Sequence, residues 1–271
     1  MRKPVALTVV FVAGIWAVGA SFALGCGDKF VLIAGGARIN RSKFPSHVLV
    51  YMNPNSRVPA AETWVRGVQF DVVDNELAVG GRLLTLRTPE RTVDEIFLPV
   101  HGTHQADNAA LALAATEAFF GGSLDDDVVR TGFAQVSLPG RFEVVHREPT
   151  VVLDGAHNPD GAAALAAALP VLHPGRPVEL VFGVLSDKDH AGMLRALAPA
   201  ARRLHLVAPA TPRARPAADL LADARALGAS ADVHADLADA VACARRAASD
   251  GALVCIAGSL YLVGEARALL S

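Results

Sequence analysis

The chain of 271 residues has only three cysteines, Cys26, Cys243 and Cys255, in neither a disulfide framework nor a C-x-x-C metal pair. Cys243 and Cys255 lie in apolar segments and read as small core residues, a usage suited to a reducing compartment. Two tryptophans and two tyrosines leave little for base stacking, and a net charge of -2 offers no basic excess to neutralise phosphates. Nucleic acid is thereby excluded as a partner. No internal repeat or low-complexity tract occurs beyond a bias to alanine. A further absence concerns nucleotides: no G-x-x-x-x-G-K-[ST] segment occurs. "GGARINRSK" has glycines and cations but not the Gly-Lys-Ser/Thr ending that cradles phosphates.

What is present is a folded composition, 52% hydrophobic and 19% charged. Its first stretch is distinctive. After Arg2 and Lys3 no charge occurs until Asp28, and an apolar run of about 20 residues suffices to cross a bilayer. Residues 1–27 therefore read as an export signal or membrane anchor, with residues 4–26 as the membrane-facing part, or else as a start foreign to the folded domain. Residues 28–66 show no sustained period and stay unassigned.

From Val68 the pattern clears. "VQFDVVD" and "LAVGGRLLTLR" alternate like strands of a hairpin turning at Asn75-Glu76, with "EIFLPV" a third strand. A helix rich in alanine and leucine follows from His104 and stops at Gly121-Gly122. Ser123 with Asp126 reads as the cap of another helix.

After Thr150 strands and helices alternate. Strands are expected in "TVVLDG", "VELVFGVL", "RLHLVAP", "ADVHAD" and "ALVCIAGS". Helices are expected over 158–172, 189–201, 216–228 and 237–248, and from 260. Continuous apolar strands between amphipathic helices predict an α/β fold with a mostly parallel, Rossmann-like sheet covered on both faces. Ligands of such sheets sit at the carboxyl ends of strands. That rule selects Asp154 to Asn158, Ser186 to Asp189, and Gly258-Ser259. Taken singly each has a plainer reading: Asn158 and Pro159 suit a helix start, "SDKD" a solvated loop, Arg141 a surface turn.

Five segments in order, "HGTHQADNAALALAA", "LPGRFEVV", "VVLDGAHNPDGAAAL", "VFGVLSDKD" and "IAGSLYLVGEA", resemble dihydrofolate synthase/folylpolyglutamate synthase of the Mur ligase superfamily. Peptidoglycan-building relatives commonly carry tyrosine after the aspartate, so Gly155 favours the folate branch. The resemblance implies that residues 67–146 are a remnant of the family's central domain and linker, and that 147–271 are its C-terminal domain. It implies an ATP-dependent ligase that joins L-glutamate to dihydropteroate or folate through an acyl phosphate. Its small-molecule partners are then folate or dihydropteroate and L-glutamate, its cofactors ATP and magnesium, and its compartment the cytoplasm.

By the same resemblance Asn108, Arg141 and Asp154 bind ATP, Arg141 at the phosphates and Asp154 at ribose hydroxyls. His157 contacts the phosphate or acyl phosphate, as an imidazolium or an N–H donor. Lys188, with Ser259, places the incoming glutamate, and His157 and Lys188 are the catalytic pair. The family's P-loop and magnesium ligands match nothing in this sequence, and no metal ligand is assigned. A ligase incomplete and inactive by itself is the expectation. The alternatives are a non-catalytic, membrane-tethered protein with a ligase-like domain, and another member of the superfamily.

Overall fold

A computed structural model describes residues 67–120 and 122–271 together with four short upstream strands: β1 (Phe30–Leu32), β2 (Arg38–Asn40), β3 (His47–Leu49) and β4 (Thr63–Val65). β1 pairs with β2 and β3 with β4, both antiparallel. The apolar run at residues 4–26 lies outside the described residues. No helix among the described residues is long and apolar enough to cross a membrane. The chain divides into two compact units, residues 1–137 and 138–271.

In the first unit β5 (Asp71–Ala78), β6 (Gly81–Arg87) and β7 (Thr92–Leu98) form an antiparallel sheet in that order. The hairpin turns at Val79-Gly80, not at Asn75-Glu76. Asn75 and Glu76 stay in the ladder opposite Leu84 and Leu83, and Asn75 accepts hydrogen bonds from the Arg82 guanidinium across the strands. Gly80 has φ +80°, the left-handed conformation that a tight turn needs and a side chain resists. Helix α1 (Thr103–Phe120) ends where expected, with Gly122 N–H donating to the Glu117 carbonyl at 3.1 Å. Helix α2 (Asp126–Ala134) is capped by Asp125, whose carboxylate accepts from Asp127 N–H, and not by Ser123. The Ser123 hydroxyl donates instead to Glu90.

The second unit is built on a six-stranded sheet. Its strands are β8 (Glu143–Arg147), β9 (Thr150–Asp154), β10 (Val178–Phe182), β11 (Arg203–Leu206), β12 (Ala231–Val233) and β13 (Leu253–Ala257). Their spatial order is β12-β11-β10-β13-β9-β8. All neighbours are parallel except β8, which is antiparallel to β9. Its helices are α3 (Pro159–Leu172), α4 (His190–Leu197), α5 (Ala217–Ala226), α6 (Leu237–Ala247) and α7 (Leu260–Leu270). The stretch read as one helix over 189–201 is α4 followed by a short 3-10 turn, because Pro199 has no N–H to continue the ladder.

Helices α3, α4 and α5 bury Leu165, Leu194 and Leu220 with Leu180, Phe182 and Leu206 of one sheet face. Helices α6 and α7 bury Val241 and Leu262 with Val181, Val207 and Ile256 of the other. β10 and β13 are buried along their whole length, which explains their unbroken apolar sequence. Cys255 belongs to this core; burial and the Asp154 charge push its thiol well above the ordinary range. Cys243 does not belong to it, contrary to expectation. It is half-buried on α6, where its sulfur meets Asp239 and Arg246.

Candidate functional site

The loops selected by sequence leave adjacent strands. Ala257 of β13 is in register with Asp154 of β9 and with Phe182 of β10, so residues 155, 183 and 258 emerge side by side. The chain then parts, to α3 and α4 on one face and to α7 on the other, a division that opens a crevice at strand ends. Gly258, at φ +116°, lets the backbone after β13 pass against the Gly183 carbonyl, where a Cβ would collide.

At the end of β9, the Asp154 carboxylate fastens two turns together. Its Oδ2 accepts from Phe142 N–H at 2.9 Å and its Oδ1 from Ala156 N–H at 2.8 Å. Phe142 needs that anchor: its φ of +46° is left-handed, which costs a non-glycine residue about 1–2 kcal/mol. Its ring is buried and stacks on His173, centroids 6.0 Å apart. Asp154 as a residue keeps some exposure, but its carboxylate is enclosed by protein, and burial raises its pKa above the ordinary 3.8. The N–H groups of Phe142 and Ala156, then Arg141 and His157, act against that rise. Asp154 thus spends both oxygens on backbone, and its first role is to position.

What it positions is Arg141, which lies between Gly140 (φ +70°) and Phe142. Gly155 N–H donates to the Gly140 carbonyl at 2.6 Å, so the "LPGR" and "DGAHN" turns lie in backbone contact. A Cβ on Gly155 would overlap the Arg141 guanidinium and the end of Leu260. Position 155 therefore has no room for tyrosine unless Arg141 is displaced. Both obstructing groups are ends of flexible side chains, so Gly155→Ala is expected to cost less than about 1 kcal/mol of stability. It should still shift Arg141, and a several-fold weaker affinity for an ADP analogue at a nearly unchanged melting temperature would report that shift.

His157 Nδ1 donates to the Gly155 carbonyl at 2.8 Å, since a carbonyl can only accept. The free nitrogen, Nε2, therefore carries a lone pair in the neutral ring and donates only when the ring is protonated. The expected N–H donor to a phosphate is thus the imidazolium alone. Asn158 caps α3, accepting from Gly161 N–H at 2.8 Å, with Pro159 in the first turn.

The other predicted residues are engaged in their own loops. Lys188 Nζ lies 3.3 Å from Asp187 Oδ2, and Arg213, which sequence reading missed, holds the other oxygen at 3.1 Å. Arg213 arrives because Ser186 N–H donates to its carbonyl and Leu185 bridges Ala214. Ser259 is 2% exposed and caps α7, accepting from Tyr261 N–H at 3.1 Å. Asn108 belongs to the first unit, on α1, where it donates to Gln105 Oε1 at 3.0 Å. Arg141, Asp154 and His157 are thus gathered on two joined turns, with Ser259 and Lys188 on the two neighbouring loops.

A parallel sheet with charged turns at its carboxyl edge is a frame that binds ligands at its strand ends. Residues 140–260 match the family described as Mur ligase, glutamate ligase domain, and this part of the chain is a Mur ligase C-terminal domain. Within that class the likeness is to the folate enzymes. The chain is 40% identical over 220 residues to a dihydrofolate synthase/folylpolyglutamate synthase of Mycobacterium tuberculosis, covering 74% of this chain and 45% of that protein. A solved folylpolyglutamate synthase of Mycobacterium tuberculosis complexed with ADP superposes with a TM-score of 0.73 at 39% identity, over 76% of this chain and 48% of that one. A bifunctional folylpolyglutamate synthase/dihydrofolate synthase from Yersinia pestis, complexed with AMPPNP and a Mn ion, gives 0.65 at 31% identity over 76% and 47%. The chain spans about half the length of the relatives it matches.

Proposed function

We propose that this chain carries the nucleotide-facing and glutamate-facing wall of a ligase that joins L-glutamate to dihydropteroate or a folate through an acyl phosphate. One observation carries the reading: Arg141 and His157 stand on two turns that the Asp154 carboxylate and the Gly155–Gly140 backbone bond hold together. A guanidinium and an imidazole on joined turns suit the charge that develops when a phosphoryl group moves to a carboxylate. Lys188 and Ser259, on neighbouring loops, are proposed to hold the incoming glutamate, Lys188 through its ammonium.

The residues at the turn fit the phosphates of a nucleotide. They do not fit magnesium, because Asp154 has both oxygens committed to backbone and no second carboxylate stands beside it in the turn, residues 154–158. The sequence also holds no G-x-x-x-x-G-K-[ST] cradle. The proposal is accordingly that the chain binds nucleotide weakly and does not complete glutamate addition alone.

Titrating the full chain with a fluorescent ADP analogue tests this. Binding is expected, and Arg141→Ala should weaken it about tenfold, near the 1.4 kcal/mol expected of one charge-assisted contact. Equal affinity in the variant would remove Arg141 from the site. Steady formation of glutamylated folate by the chain alone would overturn the requirement for a P-loop.

A further inference from the structure

His234 follows β12, and Asp239 and Cys243 stand one helical turn apart at the start of α6. One ligand atom from each, a His234 ring nitrogen, an Asp239 oxygen and Cys243 Sγ, lies within 4.8 Å of the others. The cluster opens to solvent through Asp239, whose side chain is 52% exposed, while that of His234 is 7% exposed.

The groups behind His234 fix which of its nitrogens faces Asp239. His234 Nε2 lies 3.1 Å from His205 Nδ1, and His205 Nε2 lies 2.9 Å from Glu179 Oε2. Glu179 is buried on β10, and its other oxygen accepts from the Arg202 guanidinium at 2.7 Å. That carboxylate, ion-paired to arginine, only accepts. The hydrogen between it and His205 therefore sits on His205 Nε2. His205 Nδ1 faces His234 Nε2, and one hydrogen bridges the two rings. His234 Nδ1, the ring nitrogen turned away from His205, lies 2.9 Å from Asp239 Oδ2 with a hydrogen between them. A metal ion bound to both groups would take the place of that hydrogen. The Cys243 thiol at 3.6 Å from Asp239 Oδ1 adds a third donor atom, which a proton would not require.

We propose that His234, Asp239 and Cys243 form a site for a divalent transition-metal ion of the zinc type, with one coordination position open to solvent. Nitrogen, oxygen and sulfur are the ligand set of such ions. Their bond lengths put tetrahedral ligand atoms roughly 3.3–3.8 Å apart. One ligand atom from each residue lies within 4.8 Å of the others, with Cys243 Sγ 3.6 Å from Asp239 Oδ1 and His234 Nδ1 2.9 Å from Oδ2. A rotation of the exposed Asp239 carboxylate and a contraction of up to about 1 Å would therefore complete the tetrahedral spacing. Asp239 and Cys243, at i and i+4 on a helix, share a face. The chain His234–His205–Glu179 is the carboxylate-backed support that orients ligating imidazoles.

Binding releases the Cys243 thiol proton, and any proton shared by His234 and Asp239, to solvent; thiolate and carboxylate then balance the dication. The Arg246 guanidinium donates to Cys243 Sγ at 2.9 Å and favours the thiolate; being exposed, it can swing away as metal enters. β12 is the edge strand at the opposite side of the sheet from β9, so the site is separate from the Arg141 turn.

Cobalt(II) and zinc(II) added to the full chain supply the test. A thiolate-to-cobalt charge-transfer band and one zinc bound per chain are expected. Cys243→Ser should abolish the band, and Asp239→Asn, at an exposed position, should weaken zinc at least tenfold. A missing band, a band that survives Cys243→Ser, or zinc affinity unchanged in Asp239→Asn would each overturn the site.

Discussion

Asp154→Ala is expected to destabilise the second unit by about 2–3 kcal/mol and to release Arg141 at the same time. The substitution strands the N–H groups of Phe142 and Ala156, which are bonded at 2.9 and 2.8 Å, and an unsatisfied buried donor costs about 1–3 kcal/mol. It also leaves Phe142 at φ +46° without its anchor. Set against these losses is the relief of burying a charge, the largest influence on the Asp154 pKa, which keeps the net cost below the sum. Asp154→Asn separates the contributions. One amide oxygen can replace only one of the two acceptors, and the NH2 group faces the remaining N–H, so about 1–2 kcal/mol should be lost.

The sign of the pH dependence follows from the raised pKa. Asp154 favours the fold most at pH values below its unfolded 3.8 and loses that contribution as pH rises through its folded pKa. The gap between wild type and Asn variant should therefore narrow toward neutral pH. Urea midpoints of the three proteins measure it. Affinity for an ADP analogue should fall in the Ala variant about as far as in Arg141→Ala. A wild-type midpoint in Asp154→Ala would remove the carboxylate from its place between the two turns.

The second unit was largely legible because its physics is local. Strands buried on both faces are largely apolar, and β10 and β13 read that way in sequence, Glu179 apart. The turn at Asp154 stood out because an acid, an imidazole and an amide at one strand end exceed what a helix cap needs. Their division of labour was not legible. Asp154 and His157 share a loop in sequence, yet one is consumed by Phe142 N–H, twelve residues back, and the other by its own Gly155 carbonyl. Ser259, expected at the glutamate, is first of all the cap of α7.

The misplaced hairpin turn has a similar cause: Asn75 looks like a turn residue, but cross-strand hydrogen bonds from Arg82 keep it in the ladder. Cys243 reads as core from its alanine neighbours, and only the rotation of α6 decides that it faces Asp239. Most telling is Glu179, an acid inside "VELVFG". A charge within a fully buried strand is itself a signal that a partner waits; β11 supplies it, with His205 opposite Val181 and two residues along from the register partner of Glu179.

Glu179→Ala is accordingly expected to cost about 3 kcal/mol, the lower end of the range for breaking a buried ion pair. The lower end applies because Arg202 is 36% exposed and keeps Asp250 at 2.5 Å, whereas His205, at 3% exposed, loses its acceptor outright. Glu179→Gln should act differently. Its amide oxygen can stay with Arg202 while its NH2 donates to His205 Nε2, which moves the His205 hydrogen from Nε2 to Nδ1. His205 Nδ1 then donates to His234 Nε2, and His234 Nδ1 carries its own hydrogen toward Asp239. The fold should lose only about 1–2 kcal/mol, but the lone pair that would receive a metal is gone, and cobalt affinity should fall at least tenfold.

Burial holds the His205 pKa below its ordinary value, opposed chiefly by Glu179. A depressed histidine contributes stability that is complete above its unfolded pKa of about 6.5 and is lost as pH falls toward the folded one. Removing the opposing carboxylate depresses it further, so Glu179→Gln should lose stability over a wider acid range than wild type. Parallel pH profiles of the urea midpoint for the two proteins would show His205 and Glu179 uncoupled.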